Sequence, residues 1–171
     1  MIILVMGLPG SGKSYLARQV AALTGAGYIS SDKVRQVMLQ AATYSDKEKW
    51  KVYDEMLRMA IEAAGEGSDV VLDATFYTQA LRRSFRQALE DKGRIVIIEV
   101  LADEALIRER LRRPRMDSDA NFEVYVELKE LWEPVSEPHL TLRSTDDNIE
   151  SLLDQAMEYI HQAAYEQGTD R

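Results

Sequence analysis

Residues 7 to 14 read Gly7-Leu8-Pro9-Gly10-Ser11-Gly12-Lys13-Ser14 and fit the pattern G-x-x-x-x-G-K-[ST] at every position. Such a loop lets backbone N–H groups converge on phosphate oxygens, and the helix behind it adds positive potential from its N-terminus. Gly10, Ser11, Gly12 and Tyr15 are therefore expected around a nucleotide. Lys13 should reach the β- and γ-phosphates, and the Ser14 hydroxyl should be a ligand for Mg²⁺. Pro9 stiffens the loop and leaves the donors from Gly10 onward in place.

A bound triphosphate can serve transfer to an acceptor, a conformational switch or mechanical work. The chain has no N-K-x-D-type guanine-reading sequence, and VVLDAT carries one aspartate without the adjacent glutamate of many hydrolytic ATPases. The stretch YISSDKVRQVM points toward transfer. Asp32 and Arg35 are spaced to share the first turn of a helix, where an aspartate can accept the proton of an attacking hydroxyl and an arginine can fix an anion. Ser31-Asp32 can equally be a plain helix cap, and the two roles are compatible, with Ser31 capping and Asp32 acting. Asp73 ends an apolar run, and ligands bind at strand ends in open α/β sheets; its simpler role is to cap the following turn.

GLPGSGKS, SSDKVR, LDATFYTQALRR and RERLRRPRMDSDA together resemble the P-loop kinases grouped around polynucleotide 5′-hydroxyl kinase. That group includes zeta-toxin-like kinases and small-molecule kinases such as gluconate kinase and chloramphenicol phosphotransferase. The resemblance runs from Met1 to about Leu142. It implies Lys13 and Ser14 on phosphate and Mg²⁺, Asp32 as general base, and Arg35 on the acceptor or a neighbouring phosphate. It makes Asp73 a carboxylate between the metal and the acceptor. Of the arginines at 108, 110, 112, 113 and 115, it marks Arg110 and Arg113 as those a lid would bring to the nucleotide, with Arg113 acting in transfer. The others can pair with Glu104 and Glu109 or remain solvated. Phe76 and Tyr77 are candidates to line the acceptor pocket, and Arg82 and Arg83 to meet an anionic substrate, although an aromatic pair in a loop beside a helix is more often packing and the arginines can form a solvated face.

These residues need a scaffold. Apolar runs at Ile2 to Met6, Gly27 to Ser30, Val70 to Asp73, Ile95 to Leu101 and His139 to Leu142 alternate with helical patterns. The predicted helices are Ser14 to Leu23, one starting near Asp32, Asp46 to Ala64, Leu81 to Glu90, Glu104 to Arg112, Asn121 to Trp132 and Ile149 to Tyr165. Ser118 to Ala120 reads as the cap of the sixth, and Pro114 ends the fifth. The fold class expected is α/β, a three-layer P-loop NTPase fold with a five-stranded, largely parallel sheet and helices on both faces. One domain over residues 1–171 is expected, with a lid at about 112–121 and a frayed tail at about 166–171.

Composition narrows the chemistry. The chain of 171 residues has no cysteine and two histidines far apart, His139 and His161, which excludes thiol chemistry and disfavours a zinc site. A net charge of −8 argues against a long basic nucleic-acid surface, though a strand end can still enter a local pocket. The apolar N-terminus lacks a basic flank and reads as a strand, so the cytoplasm is the expected compartment. The implied cofactors are ATP or GTP with Mg²⁺, the base being read by the loop Arg143 to Asp147. The acceptor is either a nucleic-acid 5′ end or a small-molecule hydroxyl, with no membrane partner. An ATPase module without an acceptor is the remaining reading.

Overall fold

The computed structural model describes residues 1–38, 46–113 and 120–169. Five strands form one parallel sheet in the order β2-β3-β1-β4-β5: β1 (Ile2–Met6), β2 (Gly27–Ser30), β3 (Val70–Ala74), β4 (Ile95–Leu101) and β5 (Leu140–Arg143). Among the described residues the helices are α1 (Lys13–Thr24), α2 (Ser31–Met38), α3 (Asp46–Gly65), α4 (Gln79–Leu89), α5 (Glu104–Arg112), α6 (Phe122–Glu130) and α7 (Ile149–Thr169). The α/β three-layer expectation is met, and every strand pairing is parallel.

The uninterrupted apolar run of β1 follows from its place. A central parallel strand covered on both faces has no solvent side, so it cannot alternate polar and apolar residues. Ile2, Leu4 and Met6 point into one core with Val52, Met56 and Ala60 of α3 and Leu81, Phe85 and Leu89 of α4. Ile3 and Val5 point into the other, against Leu16 and Val20 of α1 and Leu152, Ala156 and Ile160 of α7. The four-residue spacings within each helix put those side chains on one stripe.

Several boundaries differ from the sequence reading for local reasons. The fourth helix starts at Gln79, because the Thr78 hydroxyl accepts from the Leu81 N–H and caps it two residues early. The sixth is capped by Asn121, whose side chain accepts from the Val124 N–H, and it ends at Glu130, so Trp132 lies beyond it. Of the expected Ser118 to Ala120 cap only Ala120 is described, and most of the expected lid, 114–119, lies outside the described residues. α7 runs to Thr169, four residues past the predicted end.

Phe76 takes the packing role and not the pocket one. It is fully buried, with φ 51, and forms an aromatic trio with Tyr53 and Phe85 at ring-centroid distances of 5.6 and 5.0 Å. A phenylalanine in the left-handed region is strained and persists only where its surroundings hold it. Here the Phe76 N–H donates to the Tyr53 hydroxyl at 3.1 Å, and the Phe76 carbonyl accepts from the Arg82 guanidinium at 2.7 Å. Arg82, also fully buried, donates to the carbonyls of Glu133 and Pro134 at 3.0 and 2.9 Å. Phe76 is thus a core residue and Arg82 a clamp on backbone carbonyls, so neither faces a ligand. Arg83 is solvated.

The sheet leaves no room at the turn out of β1. Gly7 has φ 151, and a methyl group there would lie 2.3 Å from the Val100 carbonyl oxygen, whereas one on Gly65 would meet nothing within 4 Å. Gly7→Ala is expected to cost about 3 kcal/mol or more in urea unfolding, and Gly65→Ala to change stability by no more than about 1 kcal/mol. Equal effects at the two positions would contradict this packing.

Candidate active site

Parallel strands end on the same side, and the register of this sheet sets three functional segments beside one another. Asp73 stands opposite Val5 on one side and Ser30 on the other. One or two residues further on, β1 turns into the glycine loop and β2 into α2. A cavity of about 650 Å³ opens there, lined by Gly10, Gly12, Lys13, Ser14 and Tyr15 from the loop and by Asp32, Arg35 and Asp73 from the neighbouring strand ends. Tyr28, Tyr53, Thr75 and Tyr77 form part of its wall, with Val124 and Leu128 of α6. Of the two aromatics predicted for the pocket, only Tyr77 reaches it. Seven basic side chains line the cavity against three carboxylates, in a chain of net charge −8. That local excess is a field suited to a polyanion.

The glycine loop leads into α1 through Gly12, whose φ of 95 is left-handed. Lys13 and Ser14 open the helix, so the first free N–H groups of α1 and both side chains point toward one place. Lys13 has no side-chain partner among the described residues. Ser11 is buried beneath the loop, outside the cavity wall.

Asp32 lies in the first turn of α2, with Ser31 already inside the helix. Its Oδ1 accepts from Arg35 Nη1 at 3.1 Å, the contact expected from the i, i+3 spacing. Arg35 Nε also lies 3.2 Å from Glu48 Oε1 on α3, a buried carboxylate with no mark in the sequence reading. Arg35 therefore stands between two acids and fixes the orientation of Asp32. Lys49, next to Glu48, crosses to α6 and donates to Glu127 at 2.7 Å, which closes that side of the cavity.

Asp73 is buried and half satisfied. Its Oδ2 accepts from the Tyr28 hydroxyl at 2.6 Å, while Oδ1 has no hydrogen-bond partner among the described residues. Tyr28 lies two rungs below Ser30 on the same face of the sheet, and this placement lets the long phenol reach Asp73. Burial and then the Asp73 carboxylate push the Tyr28 phenol well above its usual range, so it remains a neutral donor. A buried carboxylate oxygen without a donor is costly, and a divalent cation beside Ser14 would supply the missing partner. The donor set of Ser14 and Asp73 therefore fits Mg²⁺ among phosphate oxygens. No group of three or more His, Cys, Asp or Glu side chains placed to hold a metal occurs among the described residues.

The two arginines marked for a lid differ. Arg113 is solvent-exposed at the cavity rim and pairs with Glu109 at 2.9 Å. Arg110 is held by the protein, at 2.8 Å from the Ser144 hydroxyl and 2.7 Å from the Thr145 carbonyl. Arg108 pairs with Glu104 at 3.6 Å and lies 3.8 Å from the centre of the Phe122 ring, away from the cavity. Arg115 falls outside the described residues. The loop after β5, expected near the base, does reach the cavity through Ser144, Thr145 and Asp146.

A family model described as an AAA domain matches residues 2–134. The chain belongs to that family. The match covers the glycine loop, Asp32, Asp73, Arg110 and Arg113. An uncharacterised protein of Mycobacterium tuberculosis is 34% identical over 126 residues, covering 63% of this chain and 25% of that protein. The chain thus spans about a quarter of the length of the curated relatives it matches. Among solved structures, a gluconokinase of Sinorhizobium meliloti superposes with a TM-score of 0.76 at 16% identity, covering 99% of this chain and 95% of that one. The Mycobacterium tuberculosis APS kinase CysC, in complex with AMPPNP and APS, superposes with a TM-score of 0.69 at 16% identity, covering 94% and 96%. These likenesses establish the P-loop fold. No helix among the described residues is long and apolar enough to cross a membrane.

The pairing of Tyr28 with Asp73 has a spectroscopic consequence. A phenol whose folded pKa is raised contributes stability in full below the ordinary tyrosine value of about 10, and loses it as pH rises beyond. In an alkaline ultraviolet titration, Tyr28 and the buried Tyr53 should ionise above the ordinary tyrosine range. Tyr28→Phe should remove one late equivalent. Loss of an early equivalent instead would show that the phenol is not held against Asp73.

Proposed function

We propose that the chain is a kinase that moves the γ-phosphoryl group of ATP, or of GTP, to the hydroxyl of a small molecule. The observation that carries this reading is the convergence of the glycine loop, Asp32 and Asp73 on one cavity at three adjacent strand ends. The acceptor hydroxyl gives its proton to Asp32 as its oxygen bonds to the γ-phosphorus. The bond from that phosphorus to the β,γ-bridging oxygen breaks, and the nucleoside diphosphate leaves with the electron pair. Lys13 offsets charge on the β- and γ-oxygens, and Arg35 aims the Asp32 carboxylate. Arg113 lies at the rim, where a modest movement brings it to the transferring group. Ser14 and Asp73 would hold Mg²⁺, which supplies charge neutralisation across the phosphates when bound.

A small acceptor is favoured over a nucleic-acid 5′ end by three facts. The acceptor side is walled by α3 and α6 through Tyr53, Val124 and Leu128, the chain is acidic overall, and its structural neighbours include kinases named for small molecules. The polynucleotide kinase reading draws no support from the comparisons. In this reading residues 1–171 act as one catalytic domain whose lid spans about 112–121 and which works on soluble metabolites.

The test is an acceptor panel of hydroxyl metabolites with a 5′-hydroxyl oligonucleotide alongside, incubated with ATP and Mg²⁺ and read by mass spectrometry for phosphorylated product. Asp32→Asn should lower transfer by about 10²- to 10⁴-fold while ATP affinity by calorimetry changes little. Lys13→Ala should weaken ATP binding itself. Undiminished transfer from the Asp32→Asn variant would remove Asp32 as the base. Acceptor-independent ATP hydrolysis alone would favour an ATPase module.

A further inference from the structure

We infer that Arg110 and Ser144 form a buttress that fixes the peptide planes of the phosphate loop from behind, which makes Arg110 a positioning residue and no ligand of the phosphates. The consequence for binding rests on the nucleotide reading above; the geometry does not. A loop that aims its N–H groups at phosphates must turn its carbonyls away from them, and those carbonyls need donors of their own. The Ser11 carbonyl accepts from the Ser144 hydroxyl at 2.6 Å, and that hydroxyl accepts from Arg110 Nη1 at 2.8 Å. The same Nη1 lies 3.3 Å from the Gly10 carbonyl oxygen and 3.4 Å from that of Ser11. A serine hydroxyl has one proton to give, and here it goes to the loop.

Counting donors excludes a second task in this arrangement. The other terminal nitrogen, Nη2, donates to the Thr145 carbonyl at 2.7 Å and to Asp146 Oδ1 at 3.2 Å, and Nε lies 3.3 Å from that same oxygen. All three guanidinium nitrogens are engaged with protein. The fit from behind is close as well. A methyl group on Gly12 would lie 3.1 Å from Ser144 Oγ and 3.5 Å from Arg110 Nη1, and one on Gly10 would lie 3.0 Å from Ile107 Cγ2. α5 and the loop after β5 are thus seated directly against the cradle. A positive charge at the carbonyl ends of these peptides also reinforces the field that their N–H ends present to an anion. Arg113, by contrast, pairs with the adjacent-turn carboxylate of Glu109 and stays exposed.

The test compares wild type with Arg110→Ala, Arg110→Lys and Ser144→Ala. Hydrogen exchange of the loop amides is measured without nucleotide, and binding of inorganic tripolyphosphate and of ATP is measured by calorimetry. The buttress predicts faster exchange at residues 10–13 in Arg110→Ala, and smaller changes of the same sign in Ser144→Ala. It also predicts affinities for tripolyphosphate and ATP that fall by the same factor, about tenfold for Arg110→Ala. Lysine, a single compact donor, should recover only part of the loss. Unchanged exchange with weakened binding would make Arg110 a direct phosphate ligand and overturn the proposal. So would a loss confined to ATP with tripolyphosphate spared, which would mark a contact to the base. If Arg110→Ala does not fold by circular dichroism, Ser144→Ala decides by the same criteria. If the wild type binds neither probe, the nucleotide reading fails while the exchange comparison still decides the buttress.

Discussion

The structure depends on the burial of β1. The strand is paired on both edges and covered on both faces, so its position admits only apolar residues and its direction sets that of its neighbours. Once β3 and β4 pair with it in parallel, the carboxyl ends of β2, β3 and β1 have to lie side by side. The glycine loop, Asp73 and Asp32 become neighbours although they are far apart in the chain. Chain order matters too: β1 occupies the middle of the sheet, where successive connections leave in opposite directions and open a crevice.

Electrostatics add the second layer. An acidic protein that concentrates basic side chains in one cavity has separated its surface charge from its working charge. Within the cavity the acids are placed individually. Asp32 is tethered by Arg35, which Glu48 steadies from α3. Asp73 has one oxygen occupied by Tyr28 and the other without a hydrogen-bond partner among the described residues. Both arrangements hold a carboxylate in a set direction, and direction is what phosphoryl transfer asks of its protein, since catalysis there is mainly positioning and charge stabilisation.

Much of this was legible in the residues. The five strands are apolar runs too short for helices, and the glycine loop, Asp32, Arg35 and Asp73 stand at their ends, where local pattern and chemistry point the same way. For Phe76 and Arg82 the residues alone left pocket, packing and surface roles open; their burial comes from α3 and from the segment after α6, contacts that no local pattern carries. Tyr28 and Glu48 act through register and helix packing, and Ser144 through a loop more than a hundred residues from its partner. Asn121 was readable as a cap, but the Ser118 to Ala120 stretch just before it offered the same chemistry.

In the proposed reaction the three strand ends hold donor phosphate and base in one line. A crystal structure with Mg²⁺ and a non-hydrolysable ATP analogue tests it most directly. The γ-phosphate is expected beside Lys13, facing the Asp32 carboxylate across the space walled by Tyr53 and Tyr77, with the metal between Ser14 and Asp73. A γ-phosphate turned away from Asp32, with the metal remote from Asp73, would contradict it.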